Sequence, residues 1–321
     1  MKRWITTSLL AAGLALAGHA AAQTKEINFG IISTESSANL KTAWMPVLDD
    51  MARATGFKVN AFFAPDYAGV IEAMRFGKVQ VAWMGNKSGM EAVDRAGAEV
   101  FAKVVNTDGS QGYHTLMIVH KDSPLRTLQD VLAQRQSLTL GYGDPNSTSG
   151  TLVPGYYAFG VNKVDPVKDF KRTLRANHET NILAVANRQI DVATVSSDGV
   201  ERMKLKLPEK AAALREVWRS PLIASDPLLW RKDLDADTKR KLREFVLNYG
   251  RDAREKQNLA TLTLGGFVPS DNNQLLPTRQ LELAKERAKV EGDTSLAGDE
   301  KSRKLKDIDT RLAELAKPAL Q

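Results

Sequence analysis

The sequence predicts an α/β fold with two lobes, and two observations support this prediction. Apolar runs of strand length alternate with segments of helical periodicity from residue 27 onward, as in a mostly parallel sheet covered by helices. Two long extended runs, at residues 113–119 and 217–223, bracket a central α/β block. If both runs cross between lobes, the second lobe is inserted into the first through a two-strand hinge, and a ligand would bind in the cleft between them.

Length and composition are those of a globular protein with two domains. The chain has 321 residues, of which 43% are hydrophobic and 26% charged, so each domain could bury a core. The predicted division places residues 23–115 and 222–275 in one lobe and residues 116–221 in the other. Residues 276–321 form a C-terminal helical tail.

The first 22 residues have the features of a cleaved export signal. Lys2 and Arg3 precede an apolar stretch at residues 9–17, and three alanines end at Ala22. The apolar stretch is too short for a membrane-spanning helix, and no later segment is long enough. The absence of cysteine excludes disulfides and a lipid-modified N-terminal cysteine. We therefore expect a periplasmic protein whose signal peptide is cleaved near Ala22.

The first lobe should contain four strands, each followed by a helix or loop. These strands are expected at residues 27–32, 58–63, 79–83 and 100–105. Their apolar character is that of strands covered on both faces. Gly56 is expected to end the first helix, and Asp66 to cap the second.

The second lobe should repeat this alternation. Its strands are expected at residues 113–119, 138–142, 169–174, 190–195 and 216–223, and its helices from residue 128, at 152–159 and from 176. An amphipathic helix should follow at residues 235–249, and the tail from Pro277 should be helical. In the tail, the apolar seam formed by Leu305, Ile308, Leu312 and Leu315 favours either docking onto the chain itself or a homodimer through the C-terminal helices.

The loop at residues 143–150, Gly-Asp-Pro-Asn-Ser-Thr-Ser-Gly, is the main functional signal. It lies at an expected strand-to-helix turn, where backbone N–H groups lack partners. The hydroxyls of Ser147, Thr148 and Ser149 add donors, and the flanking glycines let the backbone approach a ligand. Such a turn suits an oxyanion, although the same residue types also favour a plain helix cap. The loop lacks the lysine of a nucleotide-binding P-loop.

Charge pattern and motifs exclude other kinds of site. The formal net charge is +7, but basic residues are interspersed with acidic ones and form no block, so we expect no binding to nucleic acid. The sequence contains no HExxH motif and no cluster of His, Asp and Glu with metal-ligand spacing. We therefore expect neither a metal nor a cofactor.

Five blocks of the sequence resemble one family. The periplasmic phosphonate-binding proteins of bacterial phosphonate ABC transporters are similar at residues 29–36 (FGIISTES), 60–69 (NAFFAPDYAG), 143–150 (GDPNSTSG), 178–181 (HETN) and 220–223 (SPLI). The resemblance covers nearly all of the chain after the export signal, to about residue 280. It implies a type II periplasmic binding-protein fold that closes over an alkylphosphonate, typically 2-aminoethylphosphonate. The implied partner is an ABC permease in the inner membrane.

The resemblance also implies which residues bind the ligand. Around the phosphonate oxygens it places Tyr67, Tyr113, Ser147, Thr148, Ser149 and His178. The two carboxylates that would hold the substrate ammonium are Asp198 and Asp226. Asp198 stands where the family usually has a longer glutamate, and His114 stands where an aromatic residue is common. Taken singly, the tyrosines, the histidine and the two aspartates are more often structural residues than ligand contacts.

Two alternatives to a phosphonate-binding protein remain at this point. A hydrolase could use Ser147 or Ser149 with His178 and Asp198 as nucleophile, base and orienting group, but the sequence has no GxSxG motif. We therefore expect a binding protein and not an enzyme. The same fold could instead bind phosphite, phosphate or another small oxyanion.

Overall fold

The chain folds into two main mixed β-sheets, each covered by helices. The computed structural model describes residues 25–316, so the expected export signal at residues 1–22 lies outside the described part. Within that part, no helix is both long and apolar enough to cross a bilayer. We call the unit built on the six-stranded sheet lobe 1, and the unit built on the five-stranded sheet lobe 2.

The chain passes through lobe 1 twice. The first pass contains β1 (Glu26–Ile31), α1 (Ser37–Thr55), β2 (Lys58–Phe63), α2 (Tyr67–Arg75), β3 (Val81–Trp83), α3 (Asn86–Arg95) and β4 (Ala98–Asn106). After the short strand β5 (Gly112–Tyr113), lobe 2 contains β6 (Thr115–His120), α4 (Leu128–Gln134), β7 (Thr139–Tyr142), β8 (Arg172–Arg175), α5 (His178–Ala186), β9 (Val192–Ser196), α6 (Ser197–Lys206), α7 (Pro208–Ala212) and β10 (Leu214–Arg219). The return leads through β11 (Ile223–Ala224) to β12 (Pro227–Arg231), α8 (Ala236–Asn248), α9 (Ala253–Ala260), β13 (Leu264–Pro269), α10 (Leu276–Gly292) and α11 (Gly298–Leu315).

Both sheets combine parallel and antiparallel strands. The order in lobe 1 is β13-β4-β12-β3-β1-β2, with β1 parallel to β2 and β3, and β12 antiparallel to β3 and β4. The order in lobe 2 is β10-β6-β9-β7-β8, with β7 parallel to its neighbours and β6 antiparallel to its own. The prediction of a mostly parallel sheet was wrong, because β12 and β13 run antiparallel to their neighbours in lobe 1 and β6 runs antiparallel to both of its neighbours in lobe 2.

The two lobes are joined by a two-stranded ladder. β5 pairs antiparallel with β11, and Tyr113 lies opposite Ile223. A Cβ on Gly112 would lie 2.7 Å from the backbone oxygen of Ile223, so only glycine allows the two strands to approach this closely. Each of the two predicted long strands is broken at the hinge, the first at His114 and the second at residues 220–222. The predicted fold, with lobe 2 inserted through a two-strand hinge and helices at the C-terminus, is confirmed.

Most predicted elements are present with shifted ends. The strand at residues 58–63 has the predicted bounds, Gly56 ends α1 with a φ of 71°, and Asp66 caps α2 by accepting from the Gly69 N–H at 2.8 Å. The elements that were not predicted are β12, β13, α6, α7 and α9. Of these, α6 and α9 consist mainly of polar and charged residues, which leaves little apolar periodicity to detect.

The C-terminal helices form a hairpin that lies on both lobes. α10 contacts α3 in lobe 1 and the helical segment around residues 148–159 in lobe 2. Its Glu282 forms an ion pair with Lys87 at 3.2 Å. Ile308 of α11 and Leu283 of α10 are buried, and α11 packs against α10. In this structure the apolar seam of the tail therefore docks onto the chain itself.

Candidate functional site

The loop at residues 143–150 folds back on itself before its helix starts. The Gly143 N–H donates to the Gly150 carbonyl at 3.0 Å, and a Cβ on Gly143 would lie 2.5 Å from the Gly150 Cα. The flanking glycines thus let backbone approach backbone, whereas the sequence predicted an approach to a ligand. The Ser147 hydroxyl accepts from the Gly150 N–H at 2.9 Å and caps the helix.

The helix after this loop begins at Thr148, four residues earlier than predicted, and is π-helical in two stretches. Pro154 accounts for part of this geometry, because it has no N–H to donate to the Gly150 carbonyl as a regular α-helix would require. That carbonyl instead accepts from the Thr194 hydroxyl at 2.8 Å and from the Gly143 N–H. The proline therefore frees an acceptor that fastens the loop to β9.

His178 is a neutral donor aimed at the hydroxyls of this loop. Its Nδ1 accepts from the Ser196 N–H at 3.2 Å, so the ring proton resides on Nε2. Nε2 lies 3.4 Å from the Ser147 Oγ and 3.5 Å from the Ser149 Oγ. Burial, with a contribution from the Arg202 charge, lowers the pKa of His178 to about 3. The imidazole is therefore uncharged at neutral pH.

The loop also contacts lobe 1 across the cleft. The Thr148 hydroxyl oxygen accepts from the Lys87 N–H at 2.9 Å, in the first turn of α3. The Tyr67 N–H, in the first turn of α2, donates to the Asp144 carboxylate at 3.2 Å. Backbone N–H groups at the starts of two lobe 1 helices thus donate to side-chain oxygens of lobe 2. These contacts describe a closed arrangement of the lobes.

Two partly buried carboxylates face the same cleft from other elements. Asp226 follows β11 and directly precedes β12, whereas Asp198 lies in the first turn of α6. Neither caps a helix, because the α6 cap is Ser196. Burial raises the pKa of Asp198 to about 6, and burial together with the Asp198 charge raises that of Asp226 to about 7. Burial and the nearby Asp226 keep the Tyr113 hydroxyl protonated by raising its pKa.

One small cavity between the lobes brings together all eight residues that were predicted to bind the ligand. It is lined by Tyr67, Tyr113, Ser147, Thr148, Ser149, His178, Asp198 and Asp226. The lining thus combines uncharged donors with two carboxylates. We call the hydroxyls of residues 147–149 together with the His178 imidazole the donor end of the cavity, and the carboxylates of Asp198 and Asp226 its acceptor end.

Arg202, which the sequence analysis did not single out, also lines the cavity. It is buried on α6 and forms an ion pair with Glu35 of lobe 1, to which Lys206 also bonds. This pair crosses the cleft, as does the bond from the Ser36 N–H to the Glu179 carboxylate at 2.8 Å. Arg202 lies four residues after Asp198, a spacing that would have revealed it had α6 been predicted.

His114 lies outside the cavity. It lines a groove on the outer side of Tyr113 and Asp198, and its Nδ1 is 2.9 Å from the Ser220 carbonyl oxygen. Among residues 25–316 the structure contains no group of three or more side chains placed to hold a metal ion.

Comparison with known proteins decides the family. The family model of periplasmic substrate-binding proteins of phosphonate ABC transporters matches residues 29–275. The chain belongs to this family. It is 52% identical over 297 residues to the phosphonates-binding periplasmic protein of Escherichia coli K12, which covers 92% of this chain and 88% of that protein.

A solved structure and a more distant relative are also similar to this periplasmic substrate-binding protein. The binding-protein component of an ABC phosphonate transporter from Pseudomonas aeruginosa has a TM-score of 0.89 at 56% identity, over 91% of this chain and 97% of that one. A phosphate-import protein from Mycolicibacterium smegmatis is 28% identical over 76% of each chain. The family consists of binding proteins, which confirms the expectation that the chain is not an enzyme.

The contact between Gly143 and Gly150 can be tested by adding one methyl group. Because the new Cβ would overlap the Gly150 backbone, we expect Gly143→Ala to lower the free energy of unfolding by about 1–3 kcal/mol. Gly298→Ala, at the start of α11 with no atom within 4 Å of its Cβ, is the matched control and should cause no loss. Urea denaturation followed by circular dichroism measures both, and equal stabilities would show that the close approach is unimportant.

Proposed function

We propose that the chain captures phosphonates in the interlobe cavity, prefers 2-aminoethylphosphonate, and delivers it to an ABC permease in the inner membrane. The observation that carries this proposal is that one cavity is lined both by uncharged hydrogen-bond donors and by two carboxylates. 2-Aminoethylphosphonate carries a matching pair of groups, an anionic phosphonate and a cationic ammonium separated by two carbons.

The donor end suits a phosphonate headgroup. Ser147, Thr148 and Ser149 offer hydroxyls at a helix start, and the Nε2–H of His178 points toward the same place. Tyr67 and Tyr113 are buried, so their protonated hydroxyls can donate to the remaining oxygens. All these donors are uncharged, which allows an oxyanion to be held and later released.

The acceptor end suits an ammonium group. Asp198 and Asp226 are largely removed from water, and the Asp226 Oδ1 has no hydrogen-bond partner among the described residues. A buried carboxylate oxygen without a partner is costly, and an ammonium that donates to it would remove that cost. Asp198 lines the cavity although its side chain is shorter than the glutamate that is usual in the family.

The wider biological role extends this proposal. We propose that residues 23–115 with 222–275 and residues 116–221 move as two units about the hinge, and that residues 1–22 are removed near Ala22. The family places the mature protein in the periplasm. A bound ligand would favour the closed arrangement of the lobes, because residues of both lobes would contact the ligand at once.

A bare oxyanion is the second candidate ligand. One relative carries the name of a phosphate-import protein, and the donor end alone would accept phosphate or phosphite. Against this, Asp198 and Asp226 would repel a dianion that has no cationic group. Titration with phosphate and phosphite beside phosphonates distinguishes the two candidates.

Replacement of Asp226 by asparagine should separate the two ends of the ligand. We expect Asp226→Asn to weaken 2-aminoethylphosphonate about 100-fold, because a buried charge pair is lost. Ethylphosphonate, which lacks only the amine, should bind equally well or better. Isothermal titration calorimetry measures both affinities.

The control for this experiment is Asp108→Asn, which removes an exposed carboxylate in the outer groove. It should leave both affinities unchanged. If Asp226→Asn weakens the two phosphonates equally, Asp226 does not bind the amine. If the wild-type protein binds phosphate better than either phosphonate, the preference proposed here is wrong.

The raised carboxyl pKa values predict a pH dependence. In the empty cavity Asp226 and Asp198 take up protons as pH falls through about 7 and about 6. Because an ammonium needs ionised carboxylates, binding below these pKa values should release protons. As the pH falls below them, the affinity for 2-aminoethylphosphonate should decrease by up to about tenfold per pH unit for each proton displaced. Calorimetry in two buffers of different ionisation enthalpy, corrected with ethylphosphonate, measures this. A pH-independent affinity ratio for the two ligands would contradict it.

Homodimerisation through α10 and α11 stays a prediction. The apolar seam at Leu305, Ile308, Leu312 and Leu315 packs within the chain here, so a dimer would have to use the outer faces of the hairpin or exchange α11 between copies. Sedimentation velocity of the full chain and of a chain ending at residue 296 tests this. The dimer requires a doubled mass for the full chain alone, and a monomer mass for both would reject it.

A further inference from the structure

A small side chamber adjoins the ligand cavity and is not used by the function proposed above. It lies between α1, β3, β4 and the start of β13. Its lining is mainly apolar and aromatic, and includes Ala43, Trp44, Trp83, Val104 and Leu262. The free volume of about 20 Å³ holds one group of the size of a water molecule or a methyl group.

The side chamber meets the ligand cavity at the two carboxylates of the acceptor end. Asp198 and Asp226 line both spaces, whereas residues 147–149 and His178 line the cavity and not the chamber. A ligand whose phosphonate lies at the donor end and whose ammonium lies at the acceptor end would therefore place its nitrogen where the two spaces join.

The charged residues of the side chamber favour a cation. Its lining includes the carboxylates of Glu35, Asp198 and Asp226 and the guanidinium of Arg202. Glu35 forms ion pairs with Arg202 and with Lys206, so this guanidinium already has a partner. An added anion would be repelled by Asp198 and Asp226, whereas a positively charged nitrogen would be attracted to them.

We propose that the side chamber receives one methyl group on the ligand nitrogen, so that the site binds N-methyl-2-aminoethylphosphonate more tightly than 2-aminoethylphosphonate. This inference rests on the proposed phosphonate site and extends it to secondary amines. An N-methylammonium suits both properties of the lining, since its methyl group leaves water for an apolar space and carries part of the positive charge.

A secondary ammonium also keeps the hydrogen bonds that the acceptor end requires. The nitrogen of 2-aminoethylphosphonate carries three hydrogens, and the acceptor end presents two carboxylates. One methyl group leaves two N–H donors, one for Asp198 and one for Asp226, and each further methyl group removes a donor. Since the chamber has room for a single methyl group, we expect the best fit for one.

Ligands that differ only in N-methylation test the proposal. They are 2-aminoethylphosphonate and its N-methyl and N,N,N-trimethyl derivatives. We expect the N-methyl compound to bind about fourfold more tightly than the parent, which is the gain from burying one methyl group. The trimethyl compound should bind at least about 30-fold more weakly than the N-methyl compound, because it has no N–H for the carboxylates. Isothermal titration calorimetry on the full chain gives all three affinities.

A variant that fills the chamber connects this preference to its place. Ala43 lines the side chamber but not the ligand cavity, and Ala43→Val adds two methyl groups there. The fourfold preference for the N-methyl compound should be lost, with the affinity for 2-aminoethylphosphonate changed by less than about twofold. Ala54→Val, the same substitution at an exposed position of the same helix, is the matched control and should keep the preference.

A variant that enlarges the chamber gives a second measurement if Ala43→Val folds poorly. Leu262 also lines the side chamber and not the ligand cavity, and Leu262→Val removes one carbon from it. The affinity for the N-ethyl derivative should rise at least about threefold in this variant, while that for 2-aminoethylphosphonate stays the same.

The outcomes separate this inference from the proposed function. If the wild-type protein binds the N-methyl compound no more tightly than 2-aminoethylphosphonate, or if a folded chamber variant keeps the wild-type preferences, the chamber does not receive the methyl group, although the phosphonate site stands. If 2-aminoethylphosphonate itself does not bind, the proposed function fails, and this inference fails with it.

Discussion

The donor end of the cavity depends on one backbone contact, between Gly143 and Gly150. Their atoms approach so closely that neither position has room for a Cβ, and the resulting turn brings Ser147, Thr148 and Ser149 to the cleft. The absence of an N–H on Pro154 then leaves the Gly150 carbonyl free for Thr194 of β9, which holds the turn in place. A rigid turn matters because hydroxyls that are already oriented lose little entropy when they bind an anion.

Closure of the lobes is supported by contacts that do not involve the ligand. The Glu35–Arg202 pair, the Ser36–Glu179 bond and the Thr148–Lys87 bond all cross the cleft. A buried ion pair contributes little net stability, since desolvation offsets most of its attraction. These contacts therefore set the geometry of the closed state, and the free energy that favours closure has to come largely from ligand interactions made with both lobes at once.

The sequence revealed the lobes and the loop because both depend on local patterns. Alternating apolar runs gave the strands, and Gly56 and Asp66 gave helix ends that the structure confirms. Sheet order could not be predicted, because β12 enters between β3 and β4 from a distant part of the chain. Arg202 was missed for a similar reason. It reaches the cavity from α6, which was not predicted, and its partner Glu35 lies far away in the sequence.

The cavity combines a buried guanidinium with two partly buried carboxylates, yet its donor end is uncharged. Arg202 is paired with Glu35, so its charge is largely balanced before any ligand arrives. His178 stays neutral because burial lowers its pKa. An unbalanced cation beside the hydroxyls would bind phosphate and phosphonate alike and would slow release. With neutral donors and carboxylates in one cavity, ligands should differ in affinity mainly through the substituent on the phosphorus. A transport protein can then select among ligands by that substituent, without binding the shared oxyanion too tightly to release it.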